Sequence, residues 1–180
     1  MHKDENLYAG SSTQIHKNFI AQFLTEFDCK SILDYGCGKA IQYHKEKLHE
    51  SHFRGVMPSL YDPAVEQYSK LPEGTFDAVI STDVLEHIEE EDLPKVIAEI
   101  YSKADKFVYL GISNEPASSI LPDGRNAHVT QKSLDWWIEQ TLPYADKFTL
   151  MYVYGTSKGK AILVNNSIKM RKQYEGRSTL

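Results

Sequence analysis

The sequence predicts an α/β protein: a mostly parallel sheet with helices on both faces and a C-terminal antiparallel hairpin. Three observations carry that prediction. Short apolar strand-like runs alternate with amphipathic helical stretches, the pattern of a parallel sheet crossed by helices. The run Ile32-Leu33-Asp34-Tyr35-Gly36-Cys37-Gly38 reads as a buried strand that ends in a glycine turn, where side chains would be in the way. The chain has 180 residues, enough for one domain with a sizeable core and too few for two comfortable ones. The expected organisation is a single domain over 1–180, with 1–10 and 167–180 as loosely ordered tails, no linker and no internal repeat.

The elements follow in order. A helix begins at Ser11 or Ser12, with Ile15, Phe19, Ile20, Phe23, Leu24 and Phe27 on one face. Ser31 to Tyr35 is the first strand. Gln42 to Glu50 is a polar helical stretch, and Val56 to Tyr61 a second strand closed by Asp62-Pro63. A short helix over Ala64 to Lys70 and a turn at Leu71 to Gly74 lead to the strand Phe76 to Ser81. Glu89 to Ala104 is amphipathic, with Leu93, Val96, Ile97, Ile100, Tyr101 and Ala104 in register. Lys106 to Ile112 is another apolar strand. Asn114 to Thr130 is a loop long enough to suggest function. Lys132 to Gln140 is a helix with Leu134, Trp137 and Ile138 inward. Phe148 to Tyr154 and Lys160 to Val164 form a hairpin across Gly155 to Gly159.

Composition bounds the partners. The net charge of −5 argues against a large nucleic-acid footprint. Cys29 and Cys37 are the two cysteines; Cys37 sits inside the glycine turn, so reduced thiols and a cytoplasmic protein are expected. The opening Met1-His2-Lys3-Asp4-Glu5-Asn6 has no apolar leader core. No apolar run approaches the ~20 residues of a membrane span.

In such a sheet, ligands bind at the carboxyl ends of the strands, beside the point where strand order reverses. Asp34 to Gly38, Asp62, Ser81 to His87 and Ser113 onward all follow strands. The carboxylate of Asp34 ahead of the glycines suits a ligand with a positive end. A dinucleotide fingerprint would need a third glycine at position 41, which is Ile. Asp62 is either an acceptor for a pair of sugar hydroxyls or a turn former before Pro63. Asp83 either lines the ligand pocket or caps the helix that follows.

Two segments carry a family resemblance. Ile32-Leu33-Asp34-Tyr35-Gly36-Cys37-Gly38 resembles motif I of the class I S-adenosylmethionine-dependent methyltransferases. Phe76-Asp77-Ala78-Val79-Ile80-Ser81-Thr82-Asp83-Val84-Leu85-Glu86-His87-Ile88 resembles the strand-four segment of their small-molecule branch, and the Trp136-Trp137 helix after Asn126-Ala127-His128 resembles that of small bacterial and phage members. The resemblance runs from about residue 15 to 165 and implies a Rossmann-like fold. It implies S-adenosylmethionine as cofactor and S-adenosylhomocysteine as product. Asp34, Tyr35, Gly36, Cys37, Gly38, Asp62 and Asp83 would form the cofactor site, with Asp34 toward the ammonium and Asp62 toward the ribose. One departure stands out: only 13 residues separate Asp62 from Phe76, so the sheet is shortened around the family's third strand, and no adenine-binding acid is named.

On the acceptor side, His128 is the general-base candidate by residue type, or else a histidine that caps the next helix or packs under Trp136. Arg125 and Asn126 are the substrate candidates; Arg125 is alternatively a plain surface charge. Asp83, Glu86 and His87 stand at i, i+3 and i+4 and would share a helix face as a metal-like group. The Glu-His pair is widespread in members with no known metal, and no metal is expected. The amino-methylating DNA enzymes carry an Asn/Asp-Pro-Pro-aromatic run where this chain has Ser81-Thr82-Asp83-Val84, and neither cysteine follows a proline. The expected activity is therefore methyl transfer (EC 2.1.1 class) to an oxygen or nitrogen of a small metabolite, sugar or lipid precursor, with no nucleic-acid or membrane partner. The alternatives are a cofactor-binding protein without turnover and a nucleotide-dependent oxidoreductase. The acceptor and the oligomeric state are not legible.

Overall fold

The computed structural model describes residues 10–144, 146–155, 160–164 and 172–174, the last two segments by backbone alone. Five parallel strands form the sheet: β1 (Ile32–Tyr35), β2 (Ser59–Tyr61), β3 (Phe76–Thr82), β4 (Ala104–Ser113) and β5 (Phe148–Tyr154). They lie in the order β2-β1-β3-β4-β5, with each neighbouring pair parallel. The order reverses between β1 and β3, which makes the carboxyl end of β1 the switch point, the place where such sheets bind their ligands. Beyond β5, the backbones of β6 (Lys160–Val164) and β7 (Lys172–Tyr174) pair antiparallel. The turn 156–159 that the expected hairpin needs, the first nine residues and most of the expected C-terminal tail lie outside the described residues. The Rossmann-like α/β fold stands on the five parallel strands.

Alternation along each strand divides the core in two. Leu33, Tyr35, Val79, Val108, Leu110, Ile112, Met151 and Val153 face α4 (Leu93–Ser102) and α5 (Leu134–Thr141). Ile32, Ala78, Ile80, Phe107, Tyr109 and Leu150 face α1 (Thr13–Glu26), α2 (Ile41–His44) and α3 (Leu48–Ser51). The period of two therefore also places Asp34, Thr82, Gly111 and Tyr154 on the α1 face, each near a carboxyl end.

Several boundaries depart from the sequence reading. In α1 the inward residues are Thr13, His16, Ile20, Phe23 and Leu24, while Ile15 is 69% exposed. The apolar stripe holds at the far end of the helix; at the near end, polar residues turn inward to meet polar strand ends. The expected helix Gln42 to Glu50 is two short helices, because Lys47 between them takes the left-handed conformation (φ +55°). The Ala64 to Lys70 helix shrinks to one 3₁₀ turn at Glu66–Tyr68. No strand forms between β2 and β3, so β2 is the sheet edge, as the short spacing predicted. The helix expected from Glu89 starts at Leu93 after Asp92, with Pro94 in its first turn, where a missing amide donor costs nothing.

Candidate functional site

The glycine turn is built by backbone geometry. Gly36 (φ +89°) and Gly38 (φ +55°) both lie in the left-handed region, which Gly alone occupies freely. The amides of Gly36 and Cys37 donate to the Tyr61 carbonyl at 2.7 and 3.0 Å, closing the end of β2 over the turn. A side chain at Gly36 would collide with Val84, the second residue after β3. The turn is thus pinned between the ends of β2 and β3.

Asp34 is 1% exposed. Its Oδ2 accepts from Gln42 Nε2 at 2.9 Å and from the Tyr43 hydroxyl at 2.7 Å, whereas its Oδ1 is buried without a partner. Burial pushes the carboxyl up to about 7 against those two donors. A buried carboxylate oxygen with no donor costs free energy until something supplies one; the ammonium of an amino-acid ligand is such a donor. Gln42 and Tyr43 escaped the sequence reading. They fall inside a stretch that looks like a solvated helix, and only the placement of α2 directly after the turn brings them under Asp34.

Asp62 joins the turn. Its Oδ2 accepts the Gly38 amide at 2.8 Å and its Oδ1 accepts the Ala64 amide at 2.9 Å. The turn-former reading is correct for Oδ1. Each oxygen keeps a further lone pair for an outside hydroxyl, so the two readings of this residue are compatible.

Other sequence-named residues are oriented differently. Tyr35 sits on the opposite face from Asp34, and its hydroxyl donates to Glu99 on α4 at 2.5 Å. Only its backbone belongs to the turn. Cys37 is buried, and burial raises its thiol; Cys29 is pushed up to about 11 by burial, with Asp77 adding to the rise. Both thiols are free.

Asp83, Glu86 and His87 do not share a helix face. Asp83 takes the left-handed conformation (φ +54°), and only Leu85–His87 makes a 3₁₀ turn, so the i, i+4 register is never established. Glu86 is fully buried, with Oε1 on the Ser113 amide at 2.6 Å. Burial, reinforced by the charge of Asp83, holds its carboxyl well above the usual range. The His87 Nδ1–H donates to the Ala127 carbonyl at 2.9 Å, and burial lowers its ring. Among the described residues, no three His, Cys, Asp or Glu side chains gather as metal ligands.

The loop after β4 is tied to itself and to the segment Glu86 to Glu89 that follows β3. Asn126 Oδ1 accepts the Ala117 and His128 amides, both at 2.9 Å, and its Nδ2 donates to the Ala117 carbonyl at 2.8 Å. The His128 Nδ1–H donates to the Glu115 carbonyl at 2.5 Å, so Nε2 is the basic nitrogen, and the His128 ring stands edge-on to His87 at 4.7 Å. Arg125 pairs with Glu89 at 2.6 Å and Asp123 at 2.7 Å in exposed bridges. Asn126 is thus a strut and Arg125 an exposed ion-pair partner.

Residues 33–104 match the family model described as a methyltransferase domain. That match places the segment in the class I S-adenosylmethionine-dependent methyltransferase superfamily. No curated protein matches the chain. The matched segment runs from β1 to the first residue of β4 and holds Asp34, the glycine turn, Asp62, Asp83, Glu86 and His87. The loop from Asn114 to Thr130, α1 and β5 lie outside it. For a class I methyltransferase, the buried acceptor atom of Asp34, the two left-handed glycines and the doubly anchored Asp62 fit the cofactor that the superfamily uses. Among the described residues, no helix is long and apolar enough to cross a membrane.

Proposed function

We propose that this chain methylates an oxygen or nitrogen of a small molecule, using S-adenosylmethionine, in the cytoplasm. The observation that carries the reading is Asp34: a buried carboxylate with one unpartnered oxygen, set directly before a turn of left-handed glycines. A pyrophosphate ligand would be repelled there, whereas an ammonium-bearing one is attracted.

In this reading Asp34 holds the cofactor's ammonium. Gly36, Cys37 and Gly38 offer backbone to its methionyl part, and Asp62 accepts from the ribose hydroxyls. The cofactor supplies an electrophilic methyl on a sulfonium: the acceptor's lone pair forms the new bond to that carbon while the carbon–sulfur pair stays on sulfur as a thioether. The protein's task is chiefly alignment, which can supply roughly 7–11 kcal/mol of the barrier. The acceptor then lies over the ends of β3, β4 and β5 and under the loop from Asn114 to Thr130. A small acceptor is favoured because His16 of α1 fills the space over Gly111 in that region, and because the sequence lacks the motifs of the nucleic-acid enzymes.

The test is transfer of a labelled methyl group to fractionated small-molecule and nucleic-acid pools. Label in hydroxyl- or amine-bearing metabolites is the expected outcome. Label confined to polymeric nucleic acid would contradict the proposed substrate class.

A further inference from the structure

The carboxyl edge of the sheet divides into two halves. Asp34, Gly36, Gly38 and Asp62 stand at the ends of β1 and β2. Asp83 stands at the end of β3, and its carboxylate accepts a hydrogen bond from the Tyr154 hydroxyl, the last residue of β5. Asp83 therefore reaches across β4, away from the glycine turn, and its own amide donates to the Gly111 carbonyl of β4 at 3.0 Å. The left-handed backbone of Asp83 produces this orientation: it turns the chain at the end of β3, so that Val84 packs on Gly36 while the Asp83 side chain faces β5.

The surroundings of the pair are unusual. Glu86, 0% exposed, has no hydrogen-bonding partner for Oε2 other than the Asp83 carboxyl beside it. His16 of α1 is 1% exposed and keeps Nε2 without a partner. Its ring fills the space over Gly111, where a side chain would collide, and lies 5.3 Å from the Tyr154 ring and 5.6 Å from the Tyr152 ring. His16 Nδ1 is held by the Tyr109 hydroxyl at 2.9 Å. Asp83 and Tyr154 themselves are only partly buried. A hydrogen-bonded acid–phenol pair, open on one side and backed by buried polar groups, adjoins the boundary between the two halves. A group passed from a ligand on β1–β2 to one on β3–β5 crosses that boundary.

We propose that Asp83 and Tyr154 are the proton-accepting pair for the methyl acceptor, which binds over β3, β4 and β5 with its hydroxyl or amine on the Tyr154 oxygen. As the acceptor's lone pair forms its bond to the methyl carbon, the acceptor's proton passes to the Tyr154 oxygen and Tyr154's own proton passes to the Asp83 carboxylate. Tyr154 ends as it began and Asp83 ends neutral. His128, the histidine favoured by the sequence, is instead a loop latch. The proposal rests on the S-adenosylmethionine reading.

The test needs no identified acceptor. Sinefungin carries an amine-bearing carbon in place of the methylated sulfonium, so its extra ammonium reports on whatever faces the transferred methyl. Binding of sinefungin and of S-adenosylhomocysteine is measured by calorimetry on the wild type, Asp83→Asn, Tyr154→Phe and the double variant. Asn tolerates the left-handed backbone, and Asp83→Gly is the second variant should Asp83→Asn not fold. The expected result is that Asp83→Asn lowers the preference for sinefungin over S-adenosylhomocysteine by about ten- to a hundredfold, the weight of a charged hydrogen bond. Tyr154→Phe should lower the preference by at least about twofold in the wild-type background and have no effect in the Asp83→Asn background, as coupled residues do. Equal loss of both ligands would make Asp83 a plain cofactor ligand and overturn the proposal, as would an unchanged preference or strictly additive effects. A wild type that binds neither compound would instead overturn the S-adenosylmethionine reading itself.

Discussion

Asp62 Oδ2 accepts the backbone amide of Gly38 at 2.8 Å, so the acid at the end of β2 holds the glycine turn at the end of β1. The residue that would grip the cofactor's ribose also shapes the loop under its methionyl part. Asp62→Ala removes both contributions. It should weaken S-adenosylhomocysteine binding by about ten- to a hundredfold, from the ~1.5–3 kcal/mol of a charged hydrogen bond. Isothermal titration checks this, and an unchanged dissociation constant would reduce Asp62 to a turn residue.

Asp34 makes binding and stability depend on pH in opposite senses. Its folded carboxyl titrates at about 7, raised from 3.8 by burial. Between those two values the folded state holds a proton that the unfolded state has released. The contribution of Asp34 to stability is therefore full below the unfolded value, falls as pH rises toward 7, and is level above it. An ammonium ligand selects the ionised form, so S-adenosylhomocysteine affinity should rise with pH up to about 7, with proton release on binding. Asp34→Asn should remove the proton release and flatten both profiles. Calorimetry in buffers of different ionisation enthalpy reads it directly; proton uptake on binding would have the wrong sign.

Gly36 and Val84 share one space. An alanine at Gly36 must adopt φ near +89°, a cost of roughly 1–2 kcal/mol for an L residue, and must also displace the Val84 side chain. Chemical denaturation should show Gly36→Ala destabilised by at least that much. Val84→Ala in the same chain should restore the packing part but not the backbone part. Additive single effects would mean the two residues do not meet.

These cases show which parts of the molecule the sequence disclosed. The glycine turn was legible because backbone sterics leave few residues able to make it, and the flanking Ile32 and Leu33 mark a buried strand. β3, β4 and β5 were legible from apolar runs, and the missing strand from the spacing between Asp62 and Phe76. The rest depends on three-dimensional placement. Hydrophobic periodicity favoured Ile15 over His16, because it scores apolarity and the near end of α1 packs on polar strand ends. Tyr154 reads as the end of a strand, and its pairing with Asp83, 71 positions away, leaves no local trace. The register of Asp83, Glu86 and His87 assumed a helix that the left-handed Asp83 forbids.

His128 supplies a hydrogen bond to the Glu115 carbonyl and an edge-on contact with His87. His128→Ala should lower stability by about 0.5–1.5 kcal/mol, the net weight of one hydrogen bond. It should leave S-adenosylhomocysteine affinity within about twofold, as separate sites do. Thermal unfolding and titration on one preparation test both; intact stability with a large loss of affinity would place His128 in the cofactor site instead.

The central claim is that the turn after β1 is built for an ammonium-bearing sulfonium cofactor. Side-by-side calorimetric titration of S-adenosylhomocysteine and NAD, on the wild type and on Asp34→Asn, tests it most directly. The account predicts saturable binding of S-adenosylhomocysteine, weakened by about tenfold or more in Asp34→Asn, and little binding of NAD to either protein. Binding of NAD in preference to S-adenosylhomocysteine, or S-adenosylhomocysteine binding indifferent to Asp34, would contradict it.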